Sequence, residues 1–231
     1  MRPWPSAVIF DLDGTLLDSV GDLAVALNAT LAELGLAPHP QDKVRTMVGG
    51  GLAKLLDRAL ATHGAALPDA ARDQAEARLF QLYAEQPAVL SRLYPGAAQT
   101  LRALDHAGIA LGLCTNKPAA ISRDLLQAMG IADSFGAIQG GDGDSPKKPD
   151  PAGLLRVVDE LGAEPSTTLM VGDSMSDVQT ARAAKLAGIV LVSHGYSVTP
   201  VTELGADMVI DGLEELPAAV AHLAARRESR A

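Results

Sequence analysis

Ala7-Val8-Ile9-Phe10-Asp11-Leu12-Asp13-Gly14-Thr15 is the stretch on which the reading of the fold turns. Four apolar residues in a row, without polar alternation, mark a strand buried on both faces, as in a parallel sheet. The run stops at Asp11, and Asp13-Gly14-Thr15 turns the chain away. Short apolar runs recur at 109–114, 137–139, 168–171, 189–192 and 208–210. Helix-length patterns at 97–106, 119–129, 152–161, 177–187 and 213–225 alternate with them. This alternation predicts an α/β fold, a Rossmann-like doubly wound parallel sheet with right-handed crossovers. Ligands of such sheets sit beyond the carboxyl ends of the strands, so chemistry is sought just after each run.

The segment 19–90 breaks the alternation. Val20, Leu23, Ala24, Leu27, Leu31 and Leu34 fall at helical spacing, and Ser19 with Asp22 resembles a capping box. Further helices are predicted over 52–63 and 69–85. The organisation expected is an α/β core domain of residues 1–18 and 91–231 carrying an inserted helical domain, 19–90. Asp18-Ser19 and 91–95 would be its hinges, and 226–231 a frayed end.

The 231 residues and 48 % hydrophobic content suit one large domain or two unequal ones and exclude a disordered chain. With 19 Lys+Arg against 28 Asp+Glu, the net charge of −9 argues against nucleic-acid binding and against a polybasic membrane contact. The single cysteine, Cys114, excludes an internal disulfide and reads as a buried small hydrophobe. Ala7–Phe10 is too short for a signal-peptide core or a membrane span, so a cytoplasmic location is expected.

The strand ends collect a non-random set: Asp11 and Asp13; Thr115-Asn116-Lys117; Lys147-Lys148-Pro149-Asp150-Pro151; and Gly172-Asp173-Ser174 with Asp177. Such a set suits phosphoryl transfer. Carboxylates hold Mg²⁺, a hard cation that prefers oxygen ligands. Thr, Asn and Lys bind or neutralise phosphoryl oxygens, and one carboxylate can act as nucleophile. The partner implied is a small phosphorylated metabolite, and the protein would be a monomer or homodimer.

These residues, in this order, resemble the four motifs of the haloacid dehalogenase superfamily: Asp11–Thr15, Thr115, Lys148-Pro149, and Gly172-Asp173-Ser174 with Asp177. The insert at 19–90 resembles that superfamily's helical cap. The resemblance implies that Asp11 attacks phosphorus to form an aspartyl-phosphate, and that Asp13 serves as general acid and then base. It makes Thr115 and the Asn116 N–H the phosphoryl binders, with Lys148 neutralising charge. Asp11, the Asp13 carbonyl, Asp173 and Asp177 become the Mg²⁺ ligands, Asp177 directly or through water.

Asp13 disfavours the dehalogenases and phosphonatases of the superfamily, which lack this acid. Thr15, and the absence of an early cap histidine, disfavour a β-phosphoglucomutase. The segments Val48-Gly49-Gly50-Gly51, Gly140-Gly141-Asp142 and His194-Gly195-Tyr196 resemble the phosphoglycolate phosphatases. The N–H groups of Gly49, Gly50 and Gly51 would then meet the substrate carboxylate at a helix N-terminus, flanked by Arg45 and Lys54. A sugar-phosphate phosphatase, for instance one acting on N-acetylmuramate 6-phosphate, stays open as an alternative. So does a phosphoacceptor signalling domain, although such domains lack a helical insert. Four smaller expectations complete the reading: Lys147 faces solvent, Asp150 caps a helix with Pro151 at its first position, Trp4 packs at the sheet edge, and 140–144 is a turn-rich loop rather than a second metal site.

Overall fold

The first apolar run forms β1 (Ala7–Phe10), and all four of its side chains are fully buried. The computed structural model describes residues 3–86, 88–143 and 145–229. Met1-Arg2, Pro87, Asp144 of the acidic loop and residues 230–231 of the predicted frayed end lie outside the described residues. After β1 come β2 (Leu17–Asp18), α1 (Val20–Glu33), α2 (Gln41–Arg45), α3 (Leu52–Thr62), α4 (Asp69–Glu85) and β3 (Arg92–Leu93). Then follow α5 (Ala97–His106), β4 (Ala110–Cys114), α6 (Ala119–Ala128), β5 (Ala137–Gln139) and α7 (Ala152–Glu160). The chain ends with β6 (Thr168–Gly172), α8 (Met175–Ala183), β7 (Gly188–Val192), β8 (Met208–Ile210) and α9 (Leu216–Glu228).

Six strands make one parallel sheet in the order β5-β4-β1-β6-β7-β8. The chain winds outward from β1 through β4 to β5, then crosses back to β6 on the other side of β1. The order therefore reverses beside β1, which opens a crevice at its carboxyl end. Register aligns the exits: Phe10 pairs with Leu113 on one side and Val171 on the other. Successive β1 side chains point to opposite faces. Val8 and Phe10 join the apolar cluster that contains Leu101, Leu125 and Leu216, whereas Ile9 joins Leu154, Val157 and Val178. Burial on both faces is why the strand sequences are uniformly apolar.

Between β2 and β3, four helices stand with no strand among the described residues. β2 and β3 pair antiparallel, Leu17 with Leu93 and Asp18 with Arg92, so the insert leaves and rejoins the core through adjacent chains. The expected capping box at its start does not form. Ser19 instead donates its hydroxyl to Asp13, and Asp22, 4 % exposed, reaches across to the far end of the insert. There its carboxylate accepts from Leu90 N–H at 2.8 Å, Ser91 N–H at 2.7 Å and the Ser91 hydroxyl at 2.6 Å. A long-range bond to two backbone donors replaces a local one, because the two ends of the insert are close in space.

Several boundaries shift. The helix expected from 177 begins at Met175, because Ser174 and Asp177 form a capping box there. Pro151, not Asp150, occupies the N-cap position of α7, while the Asp150 carboxylate still accepts from Ala152 N–H at 2.9 Å. The helix expected over 213–225 opens as a 3₁₀ turn, Leu213–Glu215, and α9 then continues to Glu228, so residues 226–228 are helical rather than frayed. The short α2 had no sequence signal. Trp4 is half-buried against the core, with the Arg227 guanidinium 5.6 Å from its ring centre. Among the described residues, no helix is long and apolar enough to cross a membrane.

Replacing Asp22 by Ala removes its three hydrogen bonds to Leu90 and Ser91 at the base of the insert, which should cost about 2–3 kcal/mol. Urea denaturation should show a lowered midpoint with an unchanged slope.

Candidate active site

Asp11 leaves β1 with its N–H bonded to the Val171 carbonyl at 2.9 Å, which continues the β1–β6 register and aims its side chain into the crevice. Two residues on, Gly14 turns the chain at φ 85°, and its N–H bonds back to the Leu17 carbonyl at 2.9 Å. A Cβ at Gly14 would lie 2.4 Å from Asp173 Oδ2, so only glycine lets the turn pass under that carboxylate. Thr115 leaves β4 with its N–H on the Gln139 carbonyl at 3.0 Å. Asp173 follows β6, and Asp177 sits in the first turn of α8. Three adjacent central strands thus deliver Asp11, Thr115 and Asp173 to one edge.

Lys148 ties the cluster together. Its ammonium lies 2.6 Å from Asp177 Oδ1 and 3.0 Å from Asp11 Oδ1, with the side chain only 4 % exposed. Burial alone would lower its pKa, but Asp11 and Asp177 more than offset that and hold it above the usual lysine range. The Lys148 loop is clamped by the Asn116 side chain, which accepts from Lys148 N–H at 2.8 Å and donates to the Lys148 carbonyl at 3.1 Å. That leaves the main chain of Asn116, rather than its amide, to face a ligand.

Asp11, Asp173 and Asp177 each place a carboxylate oxygen within 4.8 Å of the others, and all three are buried. Burial pushes Asp11 up to about 6, with Lys148 opposing the rise and Asp177 adding to it. Asp173 is raised well above the usual carboxylate range by burial, then by Asp177 and Asp11. Asp11 Oδ1 has the Lys148 ammonium beside it at 3.0 Å. An all-oxygen set with crowded negative charge fits a hard divalent cation. Asp177 is the member already most engaged: Oδ1 holds Lys148, and Oδ2 accepts from the Ser174 hydroxyl at 2.6 Å and from the N–H groups of Asp173 and Ser174.

The Asp13 carboxylate lines the same cavity but is not part of this triad. Both of its oxygens are held by the Lys117 ammonium, at 2.7 and 2.8 Å, and one also accepts from Ser19. Lys117 stood in the sequence at a strand end, two residues after Thr115, without an assigned part. Counting cations at strand ends against the carboxylates gathered there would have singled it out.

A cavity of about 330 Å³ covers this edge. Asp11, Asp13, Thr115, Lys117, Lys148 and Asp173 form its floor, and Val48, Gly49, Gly50, Gly51, Leu55 and Arg58 of the insert face them. Gly51 is the N-cap of α3, and a Cβ there would come within 2.9 Å of the Asn116 carbonyl, so the glycine loop lies directly on the core. Neither of the flanking cations expected from sequence lines the cavity. Arg45 bonds Asp18 at 2.9 Å and lies 5.0 Å from the centre of the Tyr196 ring. Lys54 is exposed, with its chain folded against Gly50. Arg58, one helical turn beyond Lys54, lines it instead and donates to the Met47 and Gly49 carbonyls at 2.6 and 2.8 Å.

Tyr196 links the site to the start of the insert. Its N–H donates to Asp173 Oδ2 at 2.6 Å, its hydroxyl donates to Asp18 at 2.8 Å, and that hydroxyl accepts from Ser19 N–H at 2.8 Å. Arg45 and Tyr196 hold Asp18 below the usual carboxylate range against the opposing effect of burial. Cys114 is buried, and burial pushes its thiol up to about 12, which leaves it inert. Asp142, in the acidic loop, accepts from Ala119 N–H at 2.6 Å at the start of α6, a structural use of its carboxylate. Lys147 is exposed.

Fold and site together define a haloacid dehalogenase-like hydrolase, and the chain belongs to that family: the family model matches residues 5–185. The protein is therefore an enzyme rather than a phosphoacceptor signalling domain. It is 47 % identical over 216 residues to the phosphoglycolate phosphatase of Rhodospirillum rubrum, covering 92 % of this chain and 89 % of that protein. It is 39 % identical over 219 residues to the phosphoglycolate phosphatase of Agrobacterium fabrum, covering 95 % and 94 %. A crystal structure of a predicted phosphoglycolate phosphatase from Haemophilus somnus 129pt superimposes with a TM-score of 0.85 at 30 % identity, over 93 % of this chain and 97 % of that one.

The raised Asp11 sets a pH dependence. The folded protein keeps this proton up to about 6, whereas an unfolded chain releases it near 3.8. Between those values the folded state binds more protons, so this group's contribution to stability falls as pH rises. A divalent cation removes that penalty, and protons compete with it. Thermal melts with and without added cation should show a larger stabilisation at pH 7 than at pH 5.

Proposed function

We propose that the protein is a Mg²⁺-dependent phosphomonoester hydrolase that converts 2-phosphoglycolate to glycolate and phosphate through an aspartyl-phosphate. The observation that carries this reading is the placement of Asp11 at the cavity floor, beside the Lys148 ammonium and the Asp173 carboxylate, opposite a glycine loop and Arg58. Asp11 supplies the oxygen that bonds to phosphorus as the bond to the glycolate oxygen breaks. Asp13 gives its proton to that departing oxygen, then takes one from the water that attacks phosphorus and returns Asp11 as a free carboxylate. The Thr115 hydroxyl and the Asn116 N–H bind the equatorial phosphoryl oxygens, and Lys148 balances the charge shared by Asp11 and the phosphoryl group. Asp11, Asp173 and the Asp13 carbonyl would hold Mg²⁺, with Asp177 behind them. When bound, the ion neutralises phosphoryl charge and keeps Asp11 ionised.

Residues 19–90 act as a cap over the 1–18 and 91–231 core in this reading, closing to exclude bulk water. The phosphate of the substrate occupies the floor, so its carboxylate meets the cap. Gly49, Gly50 and Gly51 bring N–H groups to the N-terminus of α3. Arg58 is the lining cation that makes no ion pair among the described residues, while Lys117 and Lys148 are each paired with carboxylates. Arg58 therefore takes the place of Arg45 and Lys54 in binding the substrate carboxylate. The 47 % identity to the Rhodospirillum rubrum phosphoglycolate phosphatase supports the choice of substrate.

kcat/KM across a panel of phosphate esters with Mg²⁺ tests this reading. 2-Phosphoglycolate should rank among the best substrates, Asp11→Asn should lose at least about 1,000-fold, and EDTA should abolish turnover until Mg²⁺ is restored. Poor 2-phosphoglycolate turnover beside rapid hydrolysis of another ester would overturn the substrate. Substantial Asp11→Asn activity would overturn the nucleophile. Arg58→Met should raise KM for 2-phosphoglycolate about tenfold or more while leaving esters without a carboxylate nearly unchanged.

A further inference from the structure

Lys117 is a buried cation in contact with the group proposed as acid and base. Its side chain is 2 % exposed, and its ammonium reaches both oxygens of Asp13. The remaining direction of that ammonium is closed by the insert, where the Tyr83 ring of α4 has its centre 4.7 Å away. Tyr83 is itself 1 % exposed. A lone buried ammonium would be costly, but here a carboxylate faces it on one side and an aromatic face on the other.

The consequence for Asp13 is geometric. Asp13 lies past the end of β1, where its main chain bridges to Leu17 and Gly14 immediately follows. Lys117 grips both oxygens from the β4 exit, and Ser19 grips one from the start of the insert. These contacts leave the carboxylate little freedom to rotate about its terminal bond. Enclosure by Tyr83 removes water that would compete for the same donors and strengthens the pair.

We infer that Lys117 is a positioning residue that orients the Asp13 carboxylate toward the departing oxygen, with Tyr83 sealing the pair from the insert side. This rests on the reading of Asp13 as the acid. Lys117 acts through Asp13 and does not bind the phosphoryl group, which separates it from Lys148. A misdirected acid matters most when the departing oxygen is strongly basic. An alkoxide such as that of glycolate needs the proton, whereas a nitrophenolate departs without it. Loss of a phosphate-binding cation would instead slow every ester alike.

The test is kcat/KM, which reports the first phosphoryl transfer, over a series of aryl and alkyl phosphates of rising leaving-group basicity. It is measured for wild type, Lys117→Met, Lys117→Arg and Asp13→Asn. Lys117→Met should lose about 100-fold on 2-phosphoglycolate, the cost of a displaced catalytic group, and less than about threefold on p-nitrophenyl phosphate. Its plot against leaving-group basicity should steepen in the same sense as that of Asp13→Asn. Lys117→Arg, which keeps the charge but moves it, should fall between and carries the test if the Met variant does not fold. Equal losses on all esters, or no loss, from a folded Lys117 variant would overturn the inference while Asp13→Asn still steepened. If Asp13→Asn itself failed to steepen the plot, the acid role of Asp13 would fall instead.

Discussion

The enclosed ammonium of Lys148, shared between Asp11 and Asp177, is the contact on which the rest of the site depends. Carboxylates from two strand ends and a helix cannot be crowded into a buried crevice unless positive charge is delivered with them. Lys148 delivers it from a loop that Asn116 fastens through both of its amide atoms. Asp177 in turn anchors Lys148, caps α8 and holds the Asp173 loop through backbone N–H groups. Two ion pairs of one ammonium, with the Asn116 clamp, therefore join the exits of β1, β4 and β6 to the loop before α7. The residual negative charge around Asp11 and Asp173 is what a divalent cation would complete.

The acidity of the chain takes on a different meaning in this light. A net charge of −9 argues against polyanionic partners over the surface as a whole. At the cavity, however, Arg58, Lys117 and Lys148 stand beside Asp11, Asp13 and Asp173, so the local balance of charge differs from the average, and a bound divalent cation would tip it positive. An anion entering the cleft meets this local potential rather than the average one.

The sheet was legible because its strands are buried on both faces, so runs such as Ala7–Phe10 and Met208–Ile210 stand out without alternation to decode. The strand-end motifs were legible for a related reason: polar residues that follow such runs directly must lie at the sheet edge. The insert was far less so. Arg45, Lys54 and Arg58 are all cations near a glycine loop, and only packing decides that Arg45 turns to Asp18, Lys54 to solvent and Arg58 to the cavity. Ser19 and Asp22 have the spacing of a capping box, yet Ser19 turns back to Asp13, and Asp22 reaches Leu90 and Ser91 at the far end of the insert. Lys117 was visible as a residue but not as a contact, since its partner lies 104 positions away. Local pattern identifies elements well, but it cannot rank competing acceptors brought together by the fold.

The short β2–β3 ladder has a consequence for how such a chain can change over generations. It brings Leu17 beside Leu93, so the insert leaves and rejoins the core through two neighbouring ends. The entropy of closing a loop grows only with the logarithm of its length, so the sheet is largely indifferent to what is hung between those ends. The insert can therefore be lengthened, shortened or exchanged as a block, while the strand-end edge keeps its register. Room for change and constancy of the sheet edge are written into separate stretches of one polypeptide.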